Sequence, residues 1–178
     1  MKPSINLIVV STILSSVVAS AQEATGGGRP NLLINPSFED GEKGWDFGSY
    51  AKHGTVSVDT NEKHHGKSSI RIENSAGDDS FLKQVIAVKP KTRYRMSGYI
   101  KTKDLVTKGA GATLSLGGEG TVPIAVNKNW TKVTFEFDTG PSDSIMIGPR
   151  LGHNSAPVMG VAWFDELSLV ELGPSRKR

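Results

Sequence analysis

The stretch that decides the fold is NLLINPSFEDGEKGW, residues 31–45. Leu32, Leu33 and Ile34 form a short apolar run. It breaks at once into Asn35, Pro36, Ser37, Glu39, Asp40 and Gly41, and the apolar signal returns only at Trp45. A strand that ends in so many oxygen-bearing residues has two readings. It is a polar turn on an all-β domain, or a cation-binding corner built around Glu39.

Working outward, the ends set themselves apart from this region. Residues 1–21 have the anatomy of a secretory signal peptide: Lys2, an apolar stretch over 7–18, then Ala19-Ser20-Ala21. The expectation is a secreted protein with no transmembrane segment once that signal is cleaved. Residues 22–30 contain Gly26-Gly27-Gly28 and read as a flexible leader. Residues 173–178 read as a basic tail, with Gly173-Pro174 stopping the last strand. The folded part is then one domain over residues 31–172, long enough for a core. The chain has no Cys, which excludes a disulfide framework and a lipoprotein signal. The formal net charge of +3 is scattered, with no dense basic stripe, so nucleic acid is not an expected partner. A monomer is expected.

Between the ends, strand signals dominate. Ser69 to Glu73, Gln84 to Val88, Tyr94 to Lys101, Ala112 to Leu116, Lys132 to Phe137, Ser144 to Gly148 and Val161 to Leu172 are β-rich or alternating. Gly, Pro, Asn and Asp separate them. Lys103 to Lys108 could form one helical turn, and no long window has helical periodicity. Short strands at regular spacing predict a β-sandwich or barrel. Alternation sends Ile70, Ile72, Met96, Ile100, Leu114, Leu116, Val133, Phe135, Phe137, Ile145 and Ile147 inward. It sends Arg71, Glu73, Arg95, Ser97, Tyr99, Lys101, Thr134, Glu136, Met146 and Arg150 outward.

Several pieces stand in a telling order: NPSFEDG, Gly44-Trp45, HHGKSSIRIE, LKQVIAVKPKTRYRMSGYIK, NWTKVTFEF and VAWFDELSLVEL. In that order the chain resembles the carbohydrate-binding modules of the family 4, 9, 16 and 22 type. The resemblance implies an all-β, galactose-binding-like jelly roll, a β-sandwich of two antiparallel sheets. It implies a structural calcium held by Glu39 and Asp165, with main-chain oxygens near Ser37 and in His65 to Lys67, a set of oxygen donors that suits Ca²⁺. Glu166 stands where many relatives carry Asp. It also implies a glycan, polysaccharide or oligosaccharide, on a concave sheet. Tyr99 lines that cleft in some relatives, and Phe81 occupies a position where many have Trp. Rings meet the CH faces of sugars, and forked polar groups meet their hydroxyls. Arg71, Glu73, Glu136 and Arg150 are outward residues of fitting type.

Plainer readings stand beside these. Trp45 and Trp130 suit packing, Trp163 is buried if it alternates with Asp165, Leu167 and Leu169, and Arg71 with Glu73 suits a solvated face. His53, His64, His65 and His153 suit loops better than a zinc site. Glu73 with Glu136 is a candidate carboxylate pair for glycoside hydrolysis. No nucleophile elbow, phosphate loop or metal-hydrolase spacing accompanies it. The expectation is a non-catalytic module. Aromatic residues make up only 7% of the chain, which keeps open a structural or protein-interaction role on the same fold.

Overall fold

The computed structural model describes residues 28–153 and 156–175. Residues 1–21, read as a signal peptide, and residues 22–27 and 176–178, read as leader and tail, lie outside the described residues. Ten strands follow one another: β1 (Asp46–Ser49), β2 (Gly54–Asp59), β3 (Ser69–Asp78), β4 (Ser80–Ala87), β5 (Thr92–Val106), β6 (Ala112–Leu116), β7 (Glu119–Gly120), β8 (Lys128–Asp138), β9 (Ser144–Leu151) and β10 (Val158–Pro174). They form two five-stranded antiparallel sheets, ordered β1-β4-β9-β6-β7 and β2-β3-β10-β5-β8. This is a jelly-roll sandwich. Among the described residues no helix is long and apolar enough to cross a membrane.

The period-two pattern builds the core between the sheets. Ile70, Ile72, Met96, Ile100 and Leu114 are completely buried, as their alternation requires, and Phe38, Leu82 and Phe164 join them. Each such side chain contributes roughly 1.5–3 kcal/mol by leaving water. Leu116, Val133 and Phe135 point inward but stay half-buried at the sandwich margin. Residues 103–106, expected to begin a helical turn, instead continue β5. They pair with β10, Lys103 opposite Val161 and Val106 opposite Met159, around a bulge at Asp104, whose φ is 55°.

One irregularity rearranges a face. The β10–β5 register shifts between Asp165 and Ser168, and Glu166 takes the left-handed conformation at φ 49°. The bulge resets the alternation. Phe164 and Leu167, three residues apart, therefore both enter the core. Trp163, which alternation with Leu167 and Leu169 would place in the core, is 6% exposed but lies on the outer face of its sheet.

The segment before β1 docks along β10. Asn31 donates from Nδ2 to the Leu167 carbonyl at 2.9 Å, the Leu32 N–H donates to the Leu169 carbonyl at 2.9 Å, and the Arg29 guanidinium reaches the Glu171 carbonyl at 2.5 Å. At the other end β10 runs through Gly173 and Pro174, past the point where that pair was expected to stop it. The Ser175 N–H donates to the Lys91 carbonyl at 2.9 Å.

Candidate functional site

The outer face of the β1-β4-β9-β6-β7 sheet carries an open groove of about 170 Å³. Alternation in β4 turns Leu82 inward and aims Phe81 and Lys83 at solvent. The same rule in β9 places Met146, Gly148 and Arg150 along the groove, and β6 adds Ser115. Phe81 lies across Gly48 of β1. A Cβ at Gly48 would come within 2.4 Å of the Phe81 ring, so only glycine lets the ring lie flat on that strand. Tyr50 tilts against Phe81, centroid to centroid 5.6 Å and 51° between planes, and is 71% exposed. The Lys83 ammonium sits 5.8 Å from the Phe81 centroid.

Two neighbouring acids hold this arrangement from below. Asp78 is buried and fixes the loop carrying Tyr50. It accepts from the Ser49 hydroxyl at 2.6 Å, the Ala51 N–H at 2.9 Å and the His53 N–H at 2.8 Å. Burial pushes its carboxyl up, but the Ser49 hydroxyl and the N–H groups of Ala51, Asp79 and His53 outweigh that. They hold it at about 2, below its ordinary 3.8. Asp79 pairs with Arg150, which donates from Nε to Oδ1 at 2.7 Å and from Nη2 to Oδ2 at 2.5 Å. Both residues are buried. Asp79 raises the Arg150 pKa above its ordinary value against the pull of desolvation. Nη1 of Arg150 also donates to the Gly117 carbonyl at 3.1 Å, so the guanidinium is a fixed planar group in the groove wall.

The outer face of the other sheet is differently furnished. Trp163 lies beneath Arg71, at 5.9 Å, and Lys101, at 5.8 Å, and donates from Nε1 to Asp59 at 2.8 Å. Arg71 pairs with Glu73 at 2.8 Å. Glu136 takes Arg95 at 2.6 Å and Arg93 at 3.0 Å, and these two cations hold its carboxyl below the ordinary range. Tyr99 is covered by the His64 ring, stacked 3.7 Å away, and His64 Nδ1 contacts Glu166. The aromatic surface here is capped by the protein's own side chains.

The opening stretch meets the loop before β3. Glu39 Oε1 accepts from the Lys67 N–H at 2.8 Å and the Ser68 N–H at 3.3 Å. Gly66 approaches so closely that a Cβ would fall 2.2 Å from that oxygen. Asp165 has no exposed surface. It accepts from the N–H groups of His64 at 2.9 Å, His65 at 3.0 Å and Glu166 at 2.7 Å. Burial pushes its carboxyl above the ordinary value; the three N–H groups oppose this without overcoming it, and the Glu166 charge adds to it. Its partners are backbone dipoles rather than a cationic side chain. Lys67 meets Glu39 through its N–H, not the expected carbonyl. Ser37 is half-buried in the adjoining turn. Among the described residues no cluster of three or more His, Cys, Asp and Glu converges on a point.

A family model described as a carbohydrate binding domain matches residues 30–147 of the chain. The chain belongs to that family. Solved structures agree on the fold. A family 61 module in complex with beta-1,4-galactotriose has a TM-score of 0.55 at 19% identity, over 79% of this chain and 98% of that one. A family 16 module gives 0.58 at 19%, over 79% and 100%. The xylan-binding CBM22-1 domain of Paenibacillus barcinonensis Xyn10C gives 0.53 at 16%, over 79% and 93%. Among curated proteins, the tRNA(Glu)-specific nuclease WapA of Bacillus subtilis subsp. natto is 29% identical over 158 residues. That match covers 78% of this chain and only 7% of the nuclease.

Within this carbohydrate binding domain, the six residues expected in one cleft divide between two faces. Phe81 and Arg150 line the groove. Tyr99, Arg71, Glu73 and Glu136 stand on the opposite outer face, on strands of the second sheet. Arg150, expected exposed, is 7% exposed because Asp79 draws it down. Glu73 and Glu136 lie on β3 and β8 with β10 and β5 between them. Three strand spacings of about 4.8 Å exceed the reach of a glycosidase carboxylate pair. Tyr50, Lys83 and Asp79 were not anticipated. Tyr50 sits in an irregular loop without periodicity. The Asp78-Asp79 doublet between two strands was the available signal, since adjacent acids at a strand junction are rarely buried unless paired.

Proposed function

We propose that this domain binds carbohydrate without cleaving it, in the groove formed by Phe81, Tyr50, Lys83 and Arg150. The observation that carries this reading is the exposed Tyr50 against the half-buried Phe81, beside a buried, fixed guanidinium. A sugar offers an apolar CH face and a ring of hydroxyls. The rings suit the first, and the polar wall suits the second. The groove lining contains no carboxylate, and Asp79 beneath it is locked on Arg150. That supports a binding module rather than a hydrolase, which needs two carboxylates across the scissile bond. Such a domain would act outside the cell, in keeping with the secretory leader read from residues 1–21. Tyr99, Arg71, Glu73 and Glu136 then serve the opposite face, where each already has a protein partner.

The test is a glycan array probed with the purified protein, followed by titration calorimetry on any hit. Phe81→Ala should weaken binding by about tenfold or more, the scale of one aromatic stacking contact. Tyr99→Ala should leave affinity unchanged. A folded protein that binds no glycan would favour a protein-interaction role. Loss of affinity in the Tyr99 variant alone would move the site to the other sheet.

We further propose a structural Ca²⁺ beside Glu39 and Asp165. A buried carboxylate with no cationic side chain against it supports this, because an ion would supply the missing positive charge. Bound there, calcium would tie the opening turn to the loop before β3. Chelation should then lower the melting temperature by several degrees, and Asp165→Asn should abolish that sensitivity. An unchanged melting curve on chelation would leave Asp165 as a hydrogen-bonded loop anchor and nothing more.

A further inference from the structure

Among the described residues, five lysine and arginine side chains are drawn partly or wholly out of solvent: Arg71, Lys83, Arg93, Lys101 and Arg150. Four of them are met by an acid. Arg71 pairs with Glu73, Arg93 with Glu136, Lys101 with Glu62 and Arg150 with Asp79. That is the ordinary condition of a cation taken from water. Lys83 is the exception. Among the described residues it forms no ion pair.

The exception stands in the groove. An acid is close by in the sheet, since Asp46 is the partner of Lys83 in the β1–β4 ladder. The two do not join. Asp46 stays exposed, and the Lys83 ammonium lies at the Phe81 ring, 5.8 Å from its centroid. A ring face attracts a cation weakly and brings no counter-charge. The groove lining offers none either, because it contains no carboxylate. Asp79 beneath it has both oxygens on Arg150. Arg150 and Asp79 cancel, so the groove keeps one positive charge that its own walls do not balance.

We propose that the glycan held in this groove is acidic, with an oxyanion on the sugar, a uronate carboxylate or a sulfate ester, seated on the Lys83 ammonium. This rests on the groove being the carbohydrate site. The ammonium stands at the ring where a sugar would stack, so an anionic group on that sugar meets it directly. A neutral sugar would displace the ammonium from the ring and give it no charge in exchange. Lysine presents a point charge rather than the planar fork of arginine. It therefore selects for negative charge and is indifferent to whether the anion is planar or tetrahedral.

The experiment titrates the full chain with matched ligands that differ chiefly in charge. The pairs are oligogalacturonate with its methyl ester, a glucuronoxylan oligosaccharide with its carboxyl-reduced form, and a sulfated galactan oligosaccharide with the desulfated one. In at least one pair the acidic member should bind about tenfold tighter, the scale of one charge-assisted contact. Added salt should shrink that gain. Lys83→Gln should melt as the parent does, remove the gain and leave the neutral member's affinity unchanged. Phe81→Ala should weaken both members. A gain in a carboxylate pair identifies a uronic acid, and a gain confined to the sulfated pair identifies a sulfate ester; either supports the proposal. Equal affinity within every pair overturns the acidic ligand and leaves the groove reading intact if Phe81→Ala weakens the shared affinity. A gain that survives in Lys83→Gln also overturns it, because another cation then holds the anion. If the parent binds none of these ligands but a neutral glycan on the array, the acidic ligand alone is overturned. Binding of no glycan at all overturns both.

Discussion

Asp79→Ala is expected to cost this domain about 3–5 kcal/mol, because it leaves the buried Arg150 guanidinium without its counter-charge. Both oxygens of Asp79 are engaged, at 2.7 and 2.5 Å, and both residues are almost fully buried. The loss exceeds the worth of the pair itself, since desolvating two charges consumes most of their attraction. The double replacement Asp79→Ala with Arg150→Met should therefore recover much of the stability lost in the single variant. It should not recover glycan binding, because the groove wall would lose its fixed polar plane. Urea unfolding of the three proteins separates these effects. A single variant within about 1 kcal/mol of the parent would mean that water reaches the guanidinium and the pair is not truly dry.

The second large effect is acid sensitivity at Asp78. Its folded carboxyl titrates at about 2, against 3.8 ordinarily. A depressed value means that the stabilisation is fully present above the unfolded value. It fades as pH falls through that value toward about 2. The amount is about 2 kcal/mol. Asp165 has the opposite sign. Its raised value means that its contribution is present at acid pH and is lost as pH rises through its folded value. In the cation-free protein, protonating Asp165 therefore offsets part of the loss at Asp78. Asp78→Asn should be less stable than the parent at neutral pH and should show a flatter decline between pH values of about 4 and 2. Melting temperatures across that range test it. Parallel declines in the two proteins would place the acid-sensitive group elsewhere. The loop from Ser49 to His53 should open as Asp78 is protonated, and hydrogen exchange at the Ala51 and His53 amides, both bonded to Asp78, offers a local readout.

How far these features could be read from the sequence depended on whether they were local. The inward set Ile70, Ile72, Met96, Ile100 and Leu114 followed from alternation alone, because pleating ties each residue's direction to its neighbours. Which sheet an outward residue belongs to is not local. Arg71 and Phe81 both alternate outward. β3 pairs with β10 whereas β4 pairs with β9, and those long-range pairings send them to opposite sides of the sandwich. Alternation with Asp165, Leu167 and Leu169 would bury Trp163 in the core, yet a bulge at Glu166 that no spacing announces leaves it buried on the outer face instead. Glu39 and Asp165, which the family resemblance pairs, both meet the loop of residues 64–68, through N–H donors rather than carbonyls. Tyr50 was invisible, because a loop held by one buried acid leaves no period to detect.

The docking of residues 29–33 along β10 has a mechanical consequence. Arg29 lies against Glu171, while Asn31 and Leu32 lie against Leu167 and Leu169, so the two segments run antiparallel and the two ends of the sandwich emerge side by side. A pull applied through those ends loads the connecting bonds one after another, as in opening a zip, rather than all together as in shear. The first segment to yield would be residues 29–33, while the groove, on the outer face of the other sheet, stays whole. A domain anchored in this way can let out slack under tension and still keep its groove intact.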